Sequence, residues 1–177
     1  MQDLIKRYIL KYLAGSGVEV PLEALDDAAV IDGIVLKSDS HTVKPLFFPG
    51  GDIGRLAISG TVNDIAVMGA EPIALAAGFI LEEGFPIQDF TKILASMRKA
   101  CQEAEIYVIT GDTKVVERGA LDKFVINTSG IGRRSEALNR NLKVVHRYRN
   151  LKSRWLLDSN LEVGDKIIVS GTVGDHG

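Results

Sequence analysis

The sequence holds a single cysteine, Cys101. One thiol excludes an internal disulfide and any metal site built from several cysteines. Long apolar runs are lacking too: no stretch approaches the roughly 18 residues that cross a bilayer, so no membrane span is expected. The first thirteen residues carry Lys6, Arg7 and Lys11 among their apolar side chains, which reads as an amphipathic helix and not as a secretory leader. There is no excess of positive charge. Lys and Arg number 21 against 23 Asp and Glu, a formal net charge of −2, which argues against a protein built mainly to bind nucleic acid. Two phosphate-binding signatures are missing as well, Gly-x-x-x-x-Gly-Lys-Ser/Thr and Gly-x-Gly-x-x-Gly. Neither of these loops is therefore available to cradle a phosphate. A cytosolic enzyme, or part of one, is the default class, and 177 residues suffice for one domain with a proper core.

What is present has a clear rhythm. Leu4, Ile5, Tyr8, Ile9, Tyr12 and Leu13 recur at helical spacing over residues 2–14. Residues 29–38 read as a strand pair, or as one strand broken by a turn at Asp32-Gly33. Pro45 to Gly54 reads as a loop, followed by a helix from about Arg55 to Met68 with Leu56, Ala57, Ile65 and Met68 inward. Ile73 to Leu81 is an apolar run that predicts a strand buried on both faces. The clearest helix is Ile87 to Glu105, with Phe90, Ile93, Leu94, Met97, Cys101 and Ala104 on one stripe. That stripe makes Cys101 a small buried hydrophobe and not a reacting thiol. Strands are predicted at 106–110, 123–130 and 166–171. The alternation indicates an α/β or α+β domain.

Residues 133–154 hold eight Lys or Arg against one acid, Glu136. A basic helix or an extended insertion is expected there, either a solvated surface or a docking patch for an acidic partner, with Trp155-Leu-Leu157 anchoring its end.

Four acidic clusters follow apolar strands or sit in turns: Asp26-Asp27, Asp39, Asn63-Asp64 and Asp112. Carboxylates converging without His or Cys suit a hard cation such as Mg²⁺, which prefers oxygen ligands and usually arrives with phosphate. Each cluster also has a plainer reading, since Asp caps helices and favours turns. Asn63-Asp64 is harder to dismiss, because both are poor helix formers inside a predicted helix. Asp112 ends a strand, a usual place for ligand contacts in α/β sheets. Lys114 is either a point charge for phosphate or a solvated lysine. His41 reads more readily as a surface or capping histidine than as a ligand.

Four stretches then carry a resemblance. They are Pro45-Leu-Phe-Phe-Pro-Gly-Gly-Asp-Ile-Gly54, Gly60-Thr-Val-Asn-Asp-Ile-Ala-Val-Met-Gly-Ala70, Gly78-Phe-Ile-Leu-Glu-Glu-Gly84 and Thr110-Gly-Asp-Thr-Lys-Val-Val116. Together with the closing Ser170-Gly-Thr-Val-Gly-Asp-His-Gly177 they resemble the HypE family of hydrogenase expression/formation proteins, the carbamoyl dehydratases. The wider superfamily includes aminoimidazole ribonucleotide synthetase, selenophosphate synthetase and thiamine-monophosphate kinase.

The resemblance implies a PurM-like N-terminal domain, a mixed β-sheet with flanking helices whose sheet pairs in a homodimer. Residues 1–172 would be this ATP-binding and dimerisation domain, and 173–177 the start of a C-terminal domain. It implies that Asp26, Asp27, Asp39, Asp64 and Asp112 bind Mg²⁺ and phosphate. Asn63, Gly111, Thr113 and Lys114 would complete the nucleotide site, with Lys114 the catalytic candidate. In the family a carbamoyltransferase loads a carbamoyl group onto a C-terminal cysteine. ATP-dependent dehydration turns it into a thiocyanate, and the cyano group passes to iron on a scaffold partner for the [NiFe] centre. The family's His-Gly-Ser-Gly-Gly opening and its acceptor cysteine are not among these 177 residues, so the expected activity belongs to a longer protein. Two alternatives stand beside this reading. Another ATP-using member of the superfamily is disfavoured by the Phe-Phe-Pro-Gly loop. A domain kept only for assembly is disfavoured by four intact acid clusters.

Overall fold

A computed structural model describes residues 2–173. The opening helix runs as α1 (Gln2–Leu4), a π-helical stretch (Ile5–Ile9) and α2 (Leu10–Leu13). Tyr8, Tyr12 and Leu13 stay exposed, while Ile5 and Ile9 line a cavity against the body.

The strand pair forms as expected. β1 (Ala29–Ile31) and β2 (Ile34–His41) are antiparallel, with Ile31 opposite Ile34. Asp32 (φ 50°) and Gly33 (φ 76°) both take positive φ, the backbone a tight two-residue hairpin turn demands. The predicted loop 45–54 contains a small hairpin, β3 (Phe47–Phe48) with β4 (Gly51–Asp52). Asp52 then caps α3 (Ile53–Val67), its carboxylate accepting from the amides of Gly54 at 2.7 Å and Arg55 at 3.1 Å. That cap starts the helix two residues before the apolar spacing suggests.

β5 (Ala70–Glu82), α4 (Ile87–Glu103) and β6 (Val108–Val116) follow as a strand–helix–strand unit, and β7 (Phe124–Arg134) returns between β2 and β5. The sheet order is β1-β2-β7-β5-β6. Only the β5–β6 pair is parallel, as its helical crossover requires. β6 is an edge strand, exposed over nearly its whole length.

α3 and α4 cover one face. Ile53, Ala57, Ile58, Ile93 and Met97 pack there on Leu75, Ala77, Phe124 and Ile126. Cys101 is buried in this cluster, and burial pushes its thiol pKa up. The strand expected to be buried on both faces is buried on this one. On the other, Ile73 and Ile80 are 39% and 36% exposed, because no layer covers that face among the described residues. Ile34, Leu36 and Ile131 are exposed beside them.

The basic segment resolves into the end of β7, then α5 (Glu136–Val145), whose Leu138 and Leu142 are buried, and a returning stretch. Several of its charges are structural. Arg134 lies 5.0 Å over the Trp155 ring, Arg149 pairs with Asp165 at 3.0 Å, and Arg154 pairs with Glu19 at 2.6 Å. Trp155 is the anchor expected, fully buried, its indole N–H donating to Glu19 at 3.1 Å. Residues 166–171 form no strand, and Ile167 and Ile168 lie open to solvent. A β-branched run becomes a strand only where a neighbour accepts its ladder. Most of the expected start of a second domain, 174–177, lies outside the described residues.

Candidate functional site

Strand alternation sets the site's centre. Val35, Lys37, Asp39 and His41 share the helix-covered face of β2, and Asp64 reaches them from α3. Lys37 Nζ sits between two carboxylates, 3.2 Å from Asp39 Oδ1 and 2.5 Å from Asp64 Oδ2. Burial alone would lower the Lys37 pKa, but its bonds and charge contacts with Asp64 and Asp39 outweigh that and raise it. Lys37 thus stays a cation.

Asp26 and Asp27 enter from the loop before β1. Their carboxylates lie within 4.8 Å of one another and of Asp158, which arrives from the far end of the chain. The Asp158 amide donates to Asp26 Oδ2 at 3.3 Å, joining the two turns. The Asp27 pKa is raised, first by burial of its carboxyl, then by the charges of Asp64, Asp158 and Asp26, with Lys37 opposing. Negative charge here exceeds what Lys37 neutralises, and every donor is oxygen. Such a set fits a hard divalent cation.

A cavity of about 540 Å³ opens beside the acids, lined by Ile5, Ile9, Leu22, Leu25, Asp26, Asp27 and Lys37 among others. An apolar recess with a few convergent polar groups is the usual form of a small-molecule site.

The remaining candidates lie elsewhere. Asn63 is exposed on α3 beside Asp64. Gly111, Asp112, Thr113 and Lys114 are on edge strand β6. The rows Asp39–Thr128–Ala77–Gly111 and Ser40–Asn127–Gly78–Asp112 run straight across the sheet. Gly111 and Thr113 therefore share the face of Asp39, while Asp112 and Lys114 share the open face. Three strand spacings, about 14 Å, separate β6 from β2. Within one chain the structure gathers Asp26, Asp27, Asp39 and Asp64, and leaves the β6 group apart. Gly111, Asp112 and Thr113, but not Lys114, line a shallow depression of about 490 Å³ with Ala77 and Phe79.

Gly111 has a local reason as well: a Cβ there would stand 1.9 Å from the Ala77 carbonyl oxygen. His41 is neither a cap nor a surface residue. It is half-buried, its Nε2 3.0 Å from Thr128 Oγ1, and burial lowers its pKa despite the opposing charges of Asp39 and Asp64. Lys37 and Asp158 escape the sequence reading. Lys37 carries a weak signal, two residues from Asp39 on a strand and so on its face. Asp158 carries none.

A mixed sheet flanked on one face by helices, with a carboxylate centre between strand and helix, defines an α/β domain with an acidic site at the helix–sheet seam. The chain belongs to the AIR synthase related protein family: residues 25–134 match its N-terminal domain. It is 42% identical over its whole length to carbamoyl dehydratase HypE of Escherichia coli K12, covering 49% of that protein. It is 48% identical to carbamoyl dehydratase HypE of Azotobacter vinelandii, over 81% of this chain and 38% of that protein. The chain thus spans half or less of the length of these relatives. Among solved structures, a HypE–HypF complex matches with a TM-score of 0.70 at 51% identity, over 75% of this chain and 43% of the other. The hydrogenase maturation protein HypE in complex with ATP matches at 0.58 and 46% identity, over 77% and 40%. Thiamine monophosphate kinase from Aquifex aeolicus, 18% identical with a TM-score of 0.52, shares the fold.

Proposed function

We infer that this chain is the nucleotide-binding half of a carbamoyl dehydratase of [NiFe]-hydrogenase maturation. The observation that carries the inference is the carboxylate centre of Asp26, Asp27, Asp39 and Asp64 beside an apolar cavity. Its support is the similarity to a HypE solved with ATP. Asp26, Asp27 and Asp64 would hold Mg²⁺, which when bound offsets charge on the phosphates. Lys37, paired with both Asp39 and Asp64, holds the two carboxylates in place. The apolar lining takes the base and excludes water from it. The nucleotide's terminal phosphoryl group moves to the carbamoyl oxygen and makes it a leaving group. One proton leaves the nitrogen as the oxygen is phosphorylated, and departure of phosphate with loss of the second proton then leaves an S–C≡N group. The acceptor cysteine belongs to a longer protein, and a carbamoyltransferase and an iron-scaffold protein are the partners that load and unload it.

A homodimer completes the reading. The open sheet face presents Ile34, Leu36, Ile73, Ile80 and Ile131, and β6 presents an unpaired edge. Pairing of two copies there covers the patch, and would bring Asp112 and Lys114 of β6, which share that open face, against the second copy. Ile80→Asp should then convert a dimer to a monomer in light scattering, while an unchanged mass would exclude this face.

Calorimetric titration of ATP with Mg²⁺ tests the nucleotide reading. Binding should require Mg²⁺ and be lost in Asp64→Ala. Asp112→Ala should weaken it only if β6 joins the site. Equal binding by wild type and Asp64→Ala would refute the carboxylate centre.

A further inference from the structure

The acidic centre continues into a chain of buried hydrogen bonds. Thr61 Oγ1 donates to Asp39 Oδ2 at 2.8 Å, lies 2.6 Å from Thr128 Oγ1, and Thr128 Oγ1 lies 3.0 Å from His41 Nε2. Both threonines are fully buried. They occupy slots that aliphatic residues fill elsewhere on the same faces, Ala57, Ile58 and Ile65 on α3 and Ile126 on β7. A hydroxyl in such a slot is unfavourable unless it is bonded.

Counting hydrogens fixes the direction. Each hydroxyl has one hydrogen, and an ionised carboxylate only accepts. Thr61 spends its hydrogen on Asp39, so it must accept from Thr128. That commits the single hydrogen of Thr128, leaving at most a share for the Ala57 carbonyl at 3.3 Å. Thr128 can then meet His41 only as acceptor, so His41 Nε2 carries a hydrogen. Room for the ring is built in. A Cβ on Gly60, in the middle of α3, would stand 3.1 Å from His41 Cε1, and glycine is otherwise unfavourable in a helix interior.

The geometry points to His41, Thr128 and Thr61 as positioning residues: a one-way chain of hydrogen bonds that ties Asp39 Oδ2 to the core and leaves Oδ1 facing Lys37 and the cation site. The chain itself stands on the geometry. What Asp39 is held for rests on the nucleotide reading above.

The test uses the full chain, isotope-labelled, at pH 8. Long-range proton–nitrogen correlation reads the His41 tautomer directly, with His41→Phe to assign the signal. The expected state is Nε2–H, and an Nδ1–H tautomer would overturn the chain. In parallel, Mg²⁺-dependent ATP titration compares wild type, Thr61→Val and Thr61→Ser. Loss of a hydrogen bond to a charged acceptor predicts roughly tenfold weaker binding for Thr61→Val, with Thr61→Ser restoring it. Thr61→Val binding as tightly as wild type would overturn the positioning role. The tautomer is read on the wild-type protein and so stands even where Thr61→Val fails to fold. Wild-type protein that takes up no nucleotide would sink the nucleotide reading and the positioning role together. The tautomer would then still report on the chain.

Discussion

Removing the Glu19 carboxylate should destabilise the whole C-terminal wrap. Glu19 accepts from the Gly33 amide at 2.7 Å, from Arg154 Nε and Nη2 at 2.8 and 2.6 Å, and from the Trp155 indole at 3.1 Å. These bonds join the segment before β1, the β1–β2 turn and the stretch after α5. Glu19→Ala leaves the buried indole N–H without an acceptor, which costs about 1–3 kcal/mol. The Arg154 pair adds at most about 1 kcal/mol, because the Arg154 side chain is 61% exposed and screened. Water replaces the bond to Gly33. The net is about 2–3 kcal/mol, and at roughly 2–4 °C per kcal/mol for a chain of this size the melting temperature should fall by about 5–10 °C. Trp155 is the only tryptophan, so its fluorescence reports the transition where the change is made. The bond from Trp155, then that from Arg154, holds the Glu19 pKa below its ordinary 4.5, against the opposing effect of burial. A depressed carboxylate stabilises above that ordinary value, and its contribution is lost as pH falls through the folded-state value. The gap between wild type and Glu19→Ala should therefore be full at pH 7 and narrow below about pH 4.5. A shift under about 1 °C, or a gap that widens on acidification, would refute the reasoning.

Two further outcomes follow from packing. Gly111→Ala drives a Cβ into the Ala77 carbonyl, so the parallel β5–β6 ladder must open. A loss of about 2–3 kcal/mol is expected, read as a lower urea midpoint, and a midpoint equal to wild type would contradict the close approach. Cys101 should resist iodoacetamide at pH 7.5, being buried with its thiol pKa raised. It should label rapidly only after unfolding, whereas fast native labelling would place it at the surface.

Local chemistry determined most of the elements and the family. The β1–β2 turn was legible because Asp32-Gly33 is one of few pairs that accept positive φ twice. The α4 stripe was legible because its apolar residues repeat at helical period. The carboxylates were legible only as candidates, since Asp also caps helices and favours turns, while motif stretches such as Pro45 to Gly54 pointed to the family. Tertiary structure alone decided which groups meet. Asp158 reaches Asp26 across 132 residues of chain, a contact no local pattern encodes. Asp112 stands apart from Asp39 because β7 and β5 lie between their strands, an order set by how sheet edges pair. The strand expected at 166–171 is missing because a strand needs a partner's hydrogen bonds, and its own residues cannot supply them. Propensity and period are properties of neighbours along the chain. A site is a property of neighbours in space, and here the order of five strands set which carboxylates share one.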